Sequence, residues 1–191
     1  MSLKKKYVLM FIIALAYASP VNDEFESQLK NALLALQSET YGSILINELI
    51  ESKNGVSIQK SKDGNHTIGT KVEWNPENRK AAQDIEGNTD REPFVGLGHE
   101  LAHVYDMSFS AKQEVWVNID GKNIYESEKY ATYWENLIRL EHDIPLRKYY
   151  VLNKDDMSNP TLLLDSKNSN RYYYHILVMV GKNKYVNIIK K

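Results

Sequence analysis

The sequence predicts an α+β fold in one domain, with two long helices packed side by side next to a small mixed sheet. Three observations predict it. Apolar residues recur at helical spacing in four stretches, 22–37, 43–52, 94–105 and 126–141. Short alternating runs bounded by Asn-Gly and Asp-Gly turns stand between them. The length of 191 residues, 42% hydrophobic and 26% charged, suits one core and is short for two.

Lys4 to Lys6 precede the apolar run Tyr7 to Ala18, which ends in Ala16-x-Ala18 before Ser19-Pro20. A basic start, a short apolar run and a small-residue site are the three parts of a secretory signal peptide. Residues 1–18 are therefore expected to be a cleaved leader and 19–191 the mature domain, secreted or periplasmic; the alternative is a retained amphipathic or core helix. A run of this length is too short to span a bilayer, so no stable membrane anchor is expected after cleavage. The chain has no cysteine, which excludes disulfides, a lipid-modified cysteine, and any cysteine ligand or nucleophile.

Asn22 to Gln37 carries Phe25, Leu29, Leu33 and Leu36 at helical intervals, and Ser43 to Ser52 pairs Leu45 with Leu49 and Ile46 with Ile50. Two helices are predicted. Lys53-Asn54-Gly55 stops the second, Val56 to Gln59 reads as a short strand, and Asp63-Gly64 turns the chain into another. That strand, His66 to Trp74, sets Ile68, Thr70, Val72 and Trp74 on one face and should lie at a sheet edge. Asn75 to Glu92 is a polar loop. The next helix has Asp90 as N-cap, Pro93 in its first turn and an apolar stripe of Phe94, Leu97, Leu101, Val104 and Tyr105. Val115 to Ile119 reads as a strand before the turn Asp120-Gly121. A helix from Glu126 to Glu141 is apolar over a broad face, as in packing on two sides. Tyr172 to Val180 and Lys184 to Ile189 form a C-terminal hairpin around Gly181.

The net charge of -1 supplies no field for nucleic acid or an anionic membrane, and no nucleic-acid partner is expected. Thirteen tyrosines are explained by packing in strands and at core edges.

The chemistry is concentrated in His99-Glu100-x-x-His103. On a helix, residues four apart share a face, so His99 and His103 can present two imidazole nitrogens to one metal ion; the bland alternative is two structural histidines. Glu100 sits where a general base reaches an activated water without being a ligand. This is a zinc-hydrolase signature, and catalytic zinc takes three protein ligands and leaves one position for water. The third ligand must lie downstream. The metzincin extension is excluded, because its glycine position is Asp106 and its last histidine position is Phe109. A glutamate on a following helix is the other common solution, and Glu128-Lys-Tyr-Ala131 has the Glu-x-x-Ala form. Its rivals are Glu126, about 200° around the helix from Glu128, and Glu135, two turns on along the Glu128 face. Glu135 can instead orient a histidine or an arginine. Asp106 is either a support for the site or a surface charge, and His142 either donates a hydrogen bond in the site or, as its place suits better, caps the helix C-terminus.

The run Gly98-His-Glu-Leu-Ala-His103, followed by Glu128-x-x-Ala-Thr-x-x-Glu135-Asn-x-Ile-Arg139-x-Glu-His-x-x-Pro145-Leu-Arg147-x-x-Tyr150, resembles the NleD-like effector metallopeptidases of bacteria. Tyr41-Gly-Ser-Ile-Leu, the Val56 strand and Trp74-Asn-Pro76 fit the same layout, so the resemblance covers roughly Tyr41 to Tyr150. It implies a zincin-like fold, a zinc-dependent endopeptidase and host proteins as substrates of the injected members. Those members leave by a type III route without a cleaved leader, and this chain departs from them there. Arg147-x-x-Tyr150 also resembles the Arg-x-x-Tyr pair of clostridial neurotoxin light chains, which implies donors to the oxyanion of a tetrahedral intermediate; the alternative is a structural arginine and a packing tyrosine.

These observations together lead to an expected set: Zn2+ held by His99, His103 and Glu128, with Glu100, Arg147 and Tyr150 catalytic. A protein or peptide substrate would lie extended on the edge strand Thr67 to Trp74. The competing expectation is a secreted binding protein with a degenerate zincin fold and structural or no zinc, against which the retained Glu100 argues.

Overall fold

The computed structural model describes residues 23–52, 55–107, 114–151, 160–163, 176–180 and 184–188. The expected leader 1–18, Tyr172 to His175 and Ile189 lie outside them. Helix α1 (Asp23–Ser38) and helix α2 (Thr40–Glu51) occupy the two first apolar repeats. Their stripes, Leu29, Leu33 and Leu36 with Leu45, Ile46 and Leu49, are buried. Each such side chain contributes about 1.5–3 kcal/mol when fully removed from water. The N-cap of α2, Glu39, makes no side-chain cap bond. The carboxylate of Glu141 does that work from another helix, accepting the Tyr41 and Gly42 N–H groups at 2.7 and 2.9 Å.

Strands β1 (Ser57–Lys60), β2 (His66–Ile68) and β3 (Lys71–Trp74) form a mixed sheet in the order β1-β3-β2. The single strand expected over His66 to Trp74 is therefore two. Gly69, with φ of +63°, turns the chain back after Ile68, and β2 runs antiparallel to β3. Asp63-Gly64 makes no hairpin between neighbours either; it lies in the segment that carries the chain past β3, which pairs in parallel with β1. The hairpin register sets Thr67 opposite Val72 and Ile68 opposite Lys71. Directly opposed residues share a face, so Thr67 joins the fully buried Val72 while Ile68 is 72% exposed.

Helix α3 (Pro93–Met107) starts after the residue expected to cap it. Asp90 is not the N-cap, because its carboxylate is engaged by the guanidinium of Arg79 at 2.8 Å. The indole Nε1–H of Trp74 donates to the Pro93 carbonyl at 3.1 Å and ties β3 to the start of this helix. A hairpin follows, β4 (Val115–Ile119) and β5 (Lys122–Tyr125), turning at Asp120 and Gly121 with φ of 50° and 78°. Only its first strand was legible in the sequence.

Helix α4 (Glu126–Glu141) has the predicted bounds. It lies along α3, with Leu97, Leu101, Val104 and Tyr105 of one helix and Ala131, Trp134, Leu137 and Ile138 of the other in a common core. Gly98 permits the approach: a β-carbon there would stand 2.5 Å from Ile138 Cδ1 and 3.1 Å from Leu36 Cδ2. Strands β6 (Ile176–Val180) and β7 (Lys184–Ile188) pair antiparallel. Among the described residues the chain is α+β, with four helices and small sheets, and no helix is long and apolar enough to cross a membrane.

Candidate metal centre

Helix α3 carries His99 and His103 one turn apart on a common face, with ring centroids 5.0 Å apart. From the first turn of α4, Glu128 Oε2 reaches both: 3.4 Å to His99 Nε2 and 3.2 Å to His103 Nε2. Among the described residues these three form the group whose ligand atoms all lie within 4.8 Å of one another. Ala131, fully buried in the next turn of α4, keeps the helices close. Glu126 takes no part. Its half-exposed carboxylate faces Lys129 at 3.4 Å.

The donor set fits zinc. Tetrahedral bonds of about 2.0–2.2 Å put neighbouring ligand atoms about 3.3–3.5 Å apart, which is the spacing of Glu128 Oε2 from the two nitrogens. The charges are also suited to a cation. Burial pushes the Glu128 carboxyl up, but hydrogen bonds from His103 and His99 prevail and hold it well below the usual range. Burial pulls His99 down, and the Glu128 and Glu135 carboxylates more than offset this, raising it to about 8. A divalent ion bound there would take the place of the proton that these carboxylates stabilise on His99.

Glu135 supports the cluster from behind. It is fully buried, and its Oε2 lies 3.1 Å from His99 Nδ1, 2.8 Å from Arg147 Nη1 and 3.6 Å from Arg91 Nη1. Its Oε1 accepts Arg139 Nε–H at 3.0 Å. Burial alone would raise this carboxyl; Arg147, His99, Arg91 and Arg139 hold it well below the ordinary value. The bond to Nδ1 fixes the ring so that Nε2 faces Glu128. Asn136 adds a second tie, its amide pairing with the Arg147 backbone at 2.7 and 3.0 Å, while Arg139 Nη1 donates to the Pro145 carbonyl at 2.8 Å. The residues from Glu135 to Arg147 are thus a mutual clamp. The i,i+4 pair Glu135 and Arg139 was a local signal for it, whereas nothing in the sequence marked Arg91.

The structure divides Arg147 from Tyr150. Three nitrogens of Arg147 are committed to Glu135 and to the carbonyls of Tyr149 and Tyr150, at 2.8, 2.9 and 2.7 Å. The Tyr150 hydroxyl is the one of the pair brought to the cluster, where it hydrogen-bonds Glu128. Burial, together with that carboxylate, pushes its pKa up, so it stays a donor. Its ring lies over the Arg147 guanidinium at 5.1 Å and near Trp116 at 6.4 Å. Asp106 is half-buried and raised by burial against the pull of His103. His142 is the C-cap of α4, edge-on to Phe94, about 21 Å along the helix from Glu128.

Glu100, next to His99 and buried, is held by a residue that the sequence did not single out as part of the site: the Thr67 hydroxyl lies 2.9 Å from its Oε2 and 3.1 Å from its backbone carbonyl. Residues 17–132 match the M91 peptidase family, described as effector protein. The chain belongs to that family. It is the NleD-like family which the motifs resembled. No curated protein and no solved structure matches the chain. The span matched to M91 includes His99, Glu100, His103, Glu128 and Ala131, and ends inside α4, before the Glu135 to Arg147 clamp and Tyr150. Membership of an effector peptidase family implies a protein substrate.

Proposed function

We propose that this M91 family member is a zinc-dependent endopeptidase with a zincin-like arrangement, exported by its leader 1–18, that hydrolyses peptide bonds in a protein substrate. The observation that carries this is the convergence of His99, His103 and Glu128 on a common point with Glu100 on the same helix. When bound there, zinc supplies a Lewis acid that acidifies a water toward a pKa of about 7 and polarises a carbonyl.

The other roles belong to the chain. Glu100 takes the proton of the attacking water on Oε1, since Oε2 is occupied by Thr67, and delivers it to the leaving amine. Tyr150 turns its one hydroxyl hydrogen from Glu128 to the oxyanion of the tetrahedral intermediate as charge develops there. Arg147 acts through Tyr150, holding its carbonyl in place. The substrate lies extended along β2. The sheet order supports β2 for this role and not the full stretch Thr67 to Trp74, because β3 is paired on both sides.

The test is zinc content by mass spectrometry, followed by incubation with a mixture of synthetic random-sequence peptides. We expect one zinc per chain, cleavage abolished by a chelator and restored by zinc, and no cleavage by a Glu100→Gln variant that keeps its zinc. Full activity in that variant, or a folded wild type that takes up no zinc, overturns the assignment.

A further inference from the structure

Thr67 is the middle residue of β2, and its side chain leaves the sheet toward α3, because the hairpin register puts it on the face of the buried Val72. Its hydroxyl has one proton and two oxygens in reach, Glu100 Oε2 at 2.9 Å and the Glu100 backbone carbonyl at 3.1 Å. Among these the charged carboxylate is the stronger acceptor. We propose that Thr67 is a positioning residue: its hydroxyl fixes the carboxylate of Glu100 with Oε1 toward the reacting water, and so joins the substrate-bearing edge strand to the general base. The proposal rests on the peptidase reading of the site.

Two features support this over a merely structural role. A glutamate side chain has three rotatable bonds, and a base must be held within a fraction of an ångström of its productive position. One bond from a separate element to the carboxylate head, with the hydroxyl oxygen seated 3.1 Å from the carbonyl of the same residue, fixes the side chain against its own helix. The threonine also completes a sequon, Asn65-His66-Thr67, whose asparagine is turned inward in the fold. The Asn65 amide nitrogen is buried, and Asn65 Oδ1 accepts the Asn75 N–H at 2.9 Å.

The decisive variants are Thr67→Val, which keeps shape and strand preference but loses the hydroxyl, and Thr67→Ser, which keeps the hydroxyl. Two readouts are taken on the full zinc-loaded chain: the carboxyl carbon resonance of Glu100, assigned by its loss in Glu100→Gln, and steady-state cleavage of a peptide that wild type cuts. We expect Thr67→Val to keep zinc and to melt cooperatively a few degrees lower, to shift or broaden the Glu100 resonance, and to lower kcat about tenfold to a hundredfold with KM unchanged; Thr67→Ser restores the resonance and kcat. An unmoved resonance overturns the proposal, and so does an unchanged kcat in a valine variant whose resonance has moved. A wild type that binds zinc but cuts no peptide removes the peptidase reading and the catalytic half of the proposal with it, while the resonance still decides whether Thr67 holds Glu100.

Discussion

Glu135 Oε2 stands 3.1 Å from His99 Nδ1, and the same oxygen takes the Arg147 guanidinium at 2.8 Å. One atom thus orients a histidine of the ligand cluster and anchors the segment that carries Tyr150. Glu135→Gln keeps the shape and an acceptor for Nδ1 but leaves Arg91, Arg139 and Arg147 with no charge to face at this point. The expected result is a loss of about 3–5 kcal/mol of stability, read by urea unfolding of the metal-free protein. Zinc affinity, read by competition with a chromophoric chelator, should fall about 10–100-fold. Wild-type values in both would mean that the clamp neither stabilises the fold nor orients His99.

Glu128 and Glu126 are two residues apart on α4, yet their surroundings are opposite. The first lies between two imidazoles, and the second faces Lys129 in solvent. Glu128→Ala should lose zinc on dialysis, whereas Glu126→Ala should keep a full equivalent and unfold within about 0.5 kcal/mol of wild type. Metal content after dialysis separates them. Equal retention by both would remove Glu128 from the ligand set.

How far the fold was legible follows from the range of the interactions. The bounds of α4 follow from a period that each turn repeats, and the pairing of His99 with His103 needs only four residues of helix. The break between β2 and β3 was hidden because Gly69 sits inside a run that keeps strict alternation from Ile68 to Trp74, and only the left-handed φ reveals the turn. Misreading that turn moved Ile68 to the core face and concealed Thr67, since a hairpin pairs 67 with 72 and an unbroken strand would set them on opposite faces. Asp90 has the chemistry of a cap, but Arg79, eleven residues away, claims its carboxylate. Arg91 reaches Glu135 across 44 residues, and no local pattern encodes such a contact.

Acid and base should act on the metal-free protein through different groups. His99 is raised in the fold from an ordinary 6.5 to about 8, so its contribution to stability is complete below about pH 6.5 and is lost as pH rises through about 8. Glu128 and Glu135 are lowered from 4.5, so their contribution is present above about pH 4.5 and is lost as pH falls below it. Thermal melts in chelator should therefore peak between about pH 4.5 and 6.5, decline from about pH 6.5 to 8 and level off above that. Zinc must displace the His99 proton, so its affinity should rise with pH and level off above about 8. A melting temperature that keeps rising from pH 6 to 9 without metal would contradict the raised histidine.

Tyr150 and Arg147 entered as a pair and should part company in mutants. The Tyr150 hydroxyl bonds Glu128, while its ring is held by the Arg147 guanidinium and lies near Trp116. Tyr150→Phe removes one oxygen and keeps those ring contacts, so stability should change by less than about 1 kcal/mol. If the hydroxyl stabilises the oxyanion, kcat falls about 100–1,000-fold with KM nearly unchanged, because the bond strengthens only as charge develops. Arg147→Lys keeps the charge but cannot reach Glu135 and two carbonyls at once, since an ammonium has no planar fork. It should lower stability and zinc affinity together and reduce kcat as a consequence. Comparing kcat with the urea midpoint separates the two effects: Tyr150→Phe lowers the rate at constant stability, and Arg147→Lys lowers both. The opposite pattern, a stable Arg147→Lys with kcat reduced as far as in Tyr150→Phe, would mean that the guanidinium turns toward the substrate during the reaction and donates to the oxyanion itself.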